Sequence, residues 1–178
     1  MRKIISGLFI SVDGVVGDAN DWMGPWFNAE LGQAVGTLIA NQDAMLIGRV
    51  TYDEFAAHWP HQEGDMADTM NGSQKYVVSD TLGTPKWQNT TLITGDVLAE
   101  VTALKDQEGK TIGMTGSATL VRYLLEQHLI DELHLFVIPV VIGAGKKLFP
   151  AGSDKLPLKL ISSQTYETGV IHAVYTNA

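Results

Sequence analysis

The 178-residue sequence contains no cysteine, few basic residues and no long apolar run. The lack of cysteine excludes disulfide bonds, thiolate metal sites and cysteine nucleophiles. Lys and Arg number 12 against 20 Asp and Glu, which gives a net charge of −8. This charge opposes binding to nucleic acid or anionic membranes, and only the pairs Arg2-Lys3 and Lys146-Lys147 counter it locally. We therefore expect neither kind of partner.

The apolar stretch that follows Arg2 and Lys3 is soon interrupted by glycine and by Asp13. It is too short and too polar for a secretory signal or a membrane span, so we expect a first strand in a cytoplasmic protein. Apolar residues make up 45% and charged residues 18%, as in ordinary globular proteins. No linker, repeat or low-complexity run divides the chain, which predicts a single domain over 1–178.

Segments rich in β-branched and aromatic residues alternate with segments of helical period, and this predicts an α/β fold. The predicted strands are 3–12, 44–48, 75–79, 90–94, 111–115, 132–141, 158–165 and 170–176. The predicted helices are 26–41, 51–59, 97–107 and 117–127, with Thr51 and Asp96 as caps of the second and third. Only four residues separate the last two strands, so these should pair as an antiparallel hairpin. The polar segment 60–72 is predicted to be a surface loop.

The predicted strand 44–48 ends in residues suited to an anion, at the edge where ligands bind in open α/β sheets. Gly48 lets a ligand approach the backbone, and the first-turn amides of the next helix attract negative charge. Arg49 has the fork geometry that suits a phosphate. A plain strand-to-helix turn with a solvated arginine explains the same residues.

Two further strand ends carry weaker signals. Residues 115–119 form another small-residue turn before a helix, but their spacing matches neither the Rossmann fingerprint nor the P-loop. By itself this segment is more typical of a capped turn. Ser79 ends a third strand, where a hydroxyl could bond a phosphate oxygen, although serine is common there. We expect the three strand ends to converge.

Aromatic and acidic residues gather around the first predicted helix. Trp22, Trp26 and Phe27 offer a flat wall for a heterocycle, and Glu30 offers a carboxylate for its ring nitrogens. Core aromatics and a solvated acid explain the same residues. Asp13 precedes a glycine, which is typical of an ordinary turn, and is also a candidate for shaping the substrate mouth. The five histidines are scattered, so no metal site is predicted.

Several motifs resemble the dihydrofolate reductase superfamily in content and order. They are the segments 8–17, 25–26, 48–52 and 115–117. Within that superfamily, 11–14 and 138–149 are similar to the reductase domain of the bifunctional riboflavin-biosynthesis deaminase-reductase and its stand-alone relatives. The resemblance covers essentially the whole chain. It implies a three-layer α/β/α fold with a mixed sheet of about eight strands.

The resemblance also implies a site for NADPH. The implied cofactor-binding residues are Val16, Gly17, Gly48, Arg49, Thr51, Ser79, Thr115, Gly116, Ser117 and Thr119. Arg49 and Ser79 would contact the adenosine 2′-phosphate. Gly116, Ser117 and Thr119 would contact the pyrophosphate. Val16 and Gly17 would lie against the nicotinamide. Dihydrofolate reductases have an acid shortly after the tryptophan that matches Trp26, and Glu30 is the nearest carboxylate here.

The leading hypothesis is hydride transfer from NADPH to a small nitrogen heterocycle, either pterin-like or a pyrimidine ribose derivative. The matching activities are those of dihydrofolate reductase and 5-amino-6-(5-phosphoribosylamino)uracil reductase. Glu30 and Asp13 are the candidate catalytic residues, as helpers of proton delivery by water. A non-catalytic nucleotide- or ligand-binding protein of the same fold, and a structural module without dinucleotide binding, are the alternatives. Pro139 implies a bulge or an edge, and the apolar residues 140–142 are consistent with a homodimer.

Overall fold

The computed structural model describes residues 1–178 and contains one mixed sheet of eight strands. The strands are β1 Ile4–Ser11, β2 Gln42–Gly48, β3 Gln74–Val78, β4 Thr90–Ile93, β5 Thr111–Thr115, β6 Glu132–Ile138, β7 Leu158–Thr165 and β8 Ile171–Asn177. Their spatial order is β4-β3-β2-β5-β1-β6-β8-β7. β8 runs antiparallel to β6 and to β7, with which it forms a hairpin, and all other neighbouring strands are parallel. The predicted mixed sheet and terminal hairpin are confirmed.

Helices cover both faces of this sheet. They are α1 Ala19–Trp22, α2 Ala29–Ala40, α3 Arg49–His58, α4 Asp65–Gly72, α5 Val97–Asp106 and α6 Ala118–Glu126, and 3-10 turns span Gly24–Trp26 and Trp59–His61. α5 and α6 pack on one face, while α2, α3 and α4 pack on the other. The predicted three layers are therefore present. None of the helices has the length and apolar character that crossing a membrane requires.

The central strands are apolar on both sides because both faces of the sheet are covered. In β2, Leu46 packs in the cluster beneath α5 and α6, whereas Met45 and Ile47 pack beneath α3. Each fully buried side chain of this size contributes roughly 1.5–3 kcal/mol. This packing fixes the strand ends from which the candidate site is built.

The segment 60–72, predicted to be a loop, contains helix α4, so that prediction was wrong. Ala67 and Met70 are buried three residues apart, a pattern too short to stand out in a polar segment. The Nζ of Lys75 donates to the carbonyls of Met70 and Asn71 at 3.2 and 2.9 Å. A buried lysine from the next strand thus holds the end of the helix, and its burial lowers the pKa of Lys75 to about 8.

Two other helix starts depend on side-chain caps. Asp96 accepts from the amide of Ala99 at 3.1 Å, which confirms the predicted cap of α5. The first long helix begins at Ala29 and not at Trp26, because Asn28 accepts from the amide of Leu31 at 3.0 Å. Trp26 lies in the preceding 3-10 turn.

The sixth strand ends earlier than predicted. β6 stops at Ile138, so Pro139 terminates the strand and does not create a bulge within it. Proline has no amide to donate to a ladder, which explains the stop. Val141 is 68% exposed, while Val140 and Ile142 are half-buried. The homodimer stays a prediction.

Candidate active site

Hydrogen bonds join the turn after β2 to the turn after β5. The amide of Gly48 donates to the Oγ of Ser117 at 2.7 Å, and this hydroxyl donates to the Oγ1 of Thr51 at 2.8 Å. A Cβ on Gly48 would lie 3.2 Å from the Ser117 hydroxyl, and one on Gly116 would lie 3.1 Å from that of Thr51. Glycine therefore permits the close approach of the two turns. Two of the three predicted strand ends meet in this junction.

Helices α3 and α6 both begin at the junction. Gly48 precedes α3, and Thr51 lies buried within the first turn, so the predicted capping role of Thr51 was wrong. Ser117 precedes α6 in the left-handed conformation, with φ 57°, and makes no side-chain bond to its own helix. Neither helix start has a side-chain cap. Two adjacent helix N-termini with open first-turn amides form an environment that suits a diphosphate.

Arg49 lies half-exposed in the first turn of α3. Its Nη1 donates to the Oδ2 of Asp53 at 3.0 Å, one helical turn further on. An exposed pair of this kind contributes little to stability, so the guanidinium can leave Asp53 for a phosphate at small cost.

Ser79 lies at the same edge of the sheet, one residue beyond the register partner of Gly48. Its Oγ accepts from the amides of Thr81 and Leu82 at 3.1 and 3.0 Å. The hydroxyl thus shapes its own turn, and no hydrogen bond links it to the junction.

The loop after β1 is held against the loop 139–148 by Asp13. One carboxylate oxygen of Asp13 accepts from the amide of Ile142 at 3.0 Å, and the other from Gly143 at 2.9 Å. The hydroxyl of Ser11 also donates to Asp13, at 2.7 Å. These bonds, that from Ser11 foremost, lower the pKa of Asp13 to about 2. Asp13 is therefore a link between loops, in line with its turn-like sequence.

Val16 and Gly17 belong to the same pair of loops. Their amides donate to the carbonyl of Lys146 at 2.8 and 3.2 Å, and the carbonyl of Gly17 accepts from the indole of Trp22 at 2.9 Å. A Cβ on Gly17 would lie 3.1 Å from that of Lys146. The two residues expected to face a nicotinamide thus lie where the loops are joined.

A groove of about 540 Å³ lies between the start of α6 and the loop that follows β6. Thr119, Arg122, Lys146 and Lys147 are among the residues that line it. Three cations therefore meet beside a helix N-terminus in a chain of net charge −8. The sequence pattern gave no sign of Arg122, because it is the only basic residue of α6 and meets the lysines only in the folded chain.

The aromatic residues near α2 divide into two kinds. Trp22 and Trp26 are half-buried and pack in one cluster with Leu31, as core residues do. Phe27 is 45% exposed, and its ring stands edge-on to that of Phe9 with centroids 6.3 Å apart. Phe27 is therefore the aromatic surface that is open to a ligand.

Glu30 lies half-buried in the first turn of α2. Its Oε2 accepts from the amide of Glu167, in the turn between β7 and β8, at 3.0 Å. A main-chain donor from the far end of the sequence thus orients the candidate acid. No sequence signal indicated this contact.

A narrow cavity of about 60 Å³ lies between α2 and the strands β1 and β5. Its lining includes Gly7, Gly113, Gln42 and Thr115. A volume of this size suits a few waters. Thr115 lines this cavity and stands apart from the residues at the start of α6.

His134 and His172 lie in β6 and β8 and are hydrogen-bonded to each other at 3.0 Å. Nowhere in the chain do three or more His, Asp or Glu side chains come together in a way that could hold a metal ion.

This architecture is that of dihydrofolate-reductase-like proteins. Dihydrofolate reductase from Enterococcus faecalis, solved with NADP(H), matches with a TM-score of 0.64 at 14% identity, over 98% of this chain and 96% of that one. A candidate riboflavin biosynthesis protein from Shewanella sp. PV-4 matches with a TM-score of 0.78 at 20% identity, over 100% and 99%. At these identities the likeness concerns the fold.

The chain belongs to the RibD C-terminal domain family, whose model matches residues 2–172. The uncharacterised protein YyaP of Bacillus subtilis (strain 168) is 29% identical over 179 residues, which cover 98% of this chain and 94% of YyaP. The resemblance found in the sequence motifs is thereby confirmed.

Proposed function

We propose that the protein is an NADPH-dependent reductase that transfers a hydride to a small nitrogen heterocycle, either pterin-like or a pyrimidine ribose derivative. The observation that carries this proposal is the junction at Gly48 and Ser117, where α3 and α6 begin side by side. Paired helix N-termini beside a basic groove suit the diphosphate of a dinucleotide. Family membership and the NADP(H) complex of a structurally similar dihydrofolate reductase support the same cofactor.

The residues at the junction fit the phosphates of such a cofactor. Glycine at 48 and 116 keeps the backbone open where a Cβ would crowd the neighbouring hydroxyls. Thr51, Ser117 and Thr119 would line the pyrophosphate site. Arg49 would exchange Asp53 for the 2′-phosphate, with Ser79 beside it at the same edge.

The remaining residues would bind the reacting rings. NADPH supplies the hydride when bound, so the protein has to orient the rings and exclude water. The joined loop at Val16 and Gly17 would lie against the nicotinamide, and Phe27 would form the opposite wall. Glu30 would hydrogen-bond the substrate nitrogens and hold the water that gives up a proton. Asp13 would act by keeping the loops together.

A titration followed by the fluorescence of the four tryptophans tests the cofactor. We expect NADPH to bind at least tenfold more tightly than NADH, and Arg49→Ala to remove most of that difference, about 1.4 kcal/mol or more. Lys159→Ala, an exposed cation on the distant strand β7, is the matched control and should bind as the wild type does.

Absorbance at the NADPH band, followed with a panel of pterins and pyrimidine ribose derivatives, tests the reaction. Oxidation of NADPH above a no-protein control supports a reductase. Tight binding of NADPH without turnover of any panel member favours the non-catalytic ligand-binding protein. Binding of neither dinucleotide would refute the reductase and leave only a protein that binds another ligand or none.

A further inference from the structure

Four hydrogen bonds connect side chains that the proposed cofactor site does not use. The Nζ of Lys3 donates to one oxygen of Glu132 at 2.8 Å, and the other oxygen lies 3.1 Å from the Nε2 of His134. The Nδ1 of His134 lies 3.0 Å from the Nε2 of His172, whose Nδ1 lies 3.1 Å from the hydroxyl of Tyr166. This series of hydrogen bonds runs from β6 through β8 to the turn between β7 and β8.

The carboxylate at one end sets the direction of every bond. Glu132 only accepts, so the Nε2 of His134 donates to it. In neutral rings, the Nδ1 of His134 then accepts from His172, and the Nδ1 of His172 accepts from the hydroxyl of Tyr166. Burial, together with the nearby His134, lowers the pKa of His172 to about 4, so this ring is neutral at pH 7. Each donor points toward Glu132, an arrangement in which the bonds strengthen one another.

The Tyr166 end of this series of hydrogen bonds lies next to the first turn of α2. Tyr166 is 5% exposed and packs in one cluster with Leu31. The next residue, Glu167, donates its amide to the Oε2 of Glu30 at 3.0 Å. The turn between β7 and β8 therefore bonds the candidate acid directly and shares a hydrophobic cluster with the next residue of α2.

We propose that His134, His172 and Tyr166 form a positioning relay that fixes the carboxylate of Glu30 through the amide of Glu167. The relay rests on the proposed function, since it serves the acid on the substrate side. Its members are positioning residues, because none is among the residues assigned to the cofactor or substrate.

Tyr166→Phe in the intact chain tests the relay, since it removes the hydroxyl and keeps the ring in its hydrophobic cluster. By NMR we expect the Glu167 amide to exchange about fivefold faster, as for one lost hydrogen bond. The carboxyl carbon signal of Glu30 should shift, and the ring nitrogens of His172 should change their tautomer balance. His134→Gln removes the relay member farthest from Tyr166 and should speed the same exchange.

Tyr175→Phe is the matched control, because it removes a hydroxyl from the same hairpin but in the cluster beneath α5 and α6, away from Tyr166. A purely structural role would lower the free energy of unfolding and leave the Glu30 signal in place. If the amide hydrogen of Glu167 exchanges at the same rate in Tyr166→Phe, His134→Gln and Tyr175→Phe, the relay proposal is wrong.

These measurements need neither substrate nor NADPH, so they are independent of the proposed function. If the wild-type protein does not bind NADPH, the reductase proposal is refuted, but the effect of Tyr166→Phe on the Glu167 amide can still be measured. Where a heterocycle is reduced, Tyr166→Phe should lower kcat while the Kd for NADPH stays unchanged.

Discussion

The hydroxyl of Ser117 accepts a hydrogen bond from the amide of Gly48 at 2.7 Å, across 69 positions of sequence. A serine that precedes a helix usually caps that helix. Here the hydroxyl instead sets the spacing between the starts of α3 and α6, so its removal should affect the geometry of the proposed phosphate site more than the stability of α6.

Ser117→Ala is therefore expected to weaken NADPH binding roughly 5- to 30-fold, the range for one or two lost hydrogen bonds. Tryptophan fluorescence titration measures the change. Ser153→Ala removes a hydroxyl from an exposed loop, where it bonds only the carbonyl of Pro150, and should have no effect. Wild-type affinity in Ser117→Ala would place the phosphates elsewhere.

Gly116 has φ +83°, and a Cβ there would lie 3.1 Å from the Oγ1 of Thr51. Gly116→Ala should lower the free energy of unfolding by about 1–2 kcal/mol, because an L side chain is strained in this region. Gly36, in α2 with open space around it, provides the opposite control. Gly36→Ala should raise stability by about 0.5–1 kcal/mol in the same urea titrations, because alanine favours helix.

The pair between Arg49 and Asp53 leads to a second binding prediction. Asp53→Asn removes the internal competitor for the guanidinium. NADPH affinity should stay the same or rise by up to about fivefold, since exposed pairs are worth about 1 kcal/mol at most. Titration at low salt gives the largest effect. A clear fall in affinity would mean that Asp53 instead positions Arg49 for the phosphate.

The half-buried ring of His172 predicts an acid-sensitive fold. Its pKa is about 4 in the folded protein against an ordinary value of 6.5, with burial as the main cause. Between these values the unfolded chain binds a proton that the folded chain does not, so stability should fall as the pH is lowered from about 6.5 to 4. Above this window the ring is neutral in both states and has no effect.

Urea unfolding at several pH values checks this behaviour. His172→Gln should flatten the slope between pH 6.5 and 4. The contribution of Asp13 to the pH dependence can be separated from that of His172, because the pKa of Asp13 is about 2, below the usual 3.8. The stability that Asp13 contributes is complete above about pH 3.8 and is lost as the pH falls through about 2, outside the window of His172. An equal slope in wild type and His172→Gln would contradict the assignment.

Much of the fold could be predicted because its signals are local. The alternation of β-branched and aromatic segments with segments of helical period located all eight strands. Asp96 marked the start of α5 correctly. Helix α4 was missed because its stability comes from burial of Met70 and from Lys75, which belongs to the next strand. The cap of α3 was misplaced because Thr51 bonds the distant Ser117 and leaves Gly48 as the preceding residue.

The sequence by itself determined which segments form the eight strands, and it located the glycine-bearing turns at Gly48 and Gly116, because periodicity and turn chemistry act over a few residues. Only the tertiary structure decided the partner of each polar group. Glu30 is oriented by Glu167, and Arg122 meets the lysines of a distant loop. Such partners are set by how the helices and strands pack, and no local pattern encodes which of many available donors a side chain will meet.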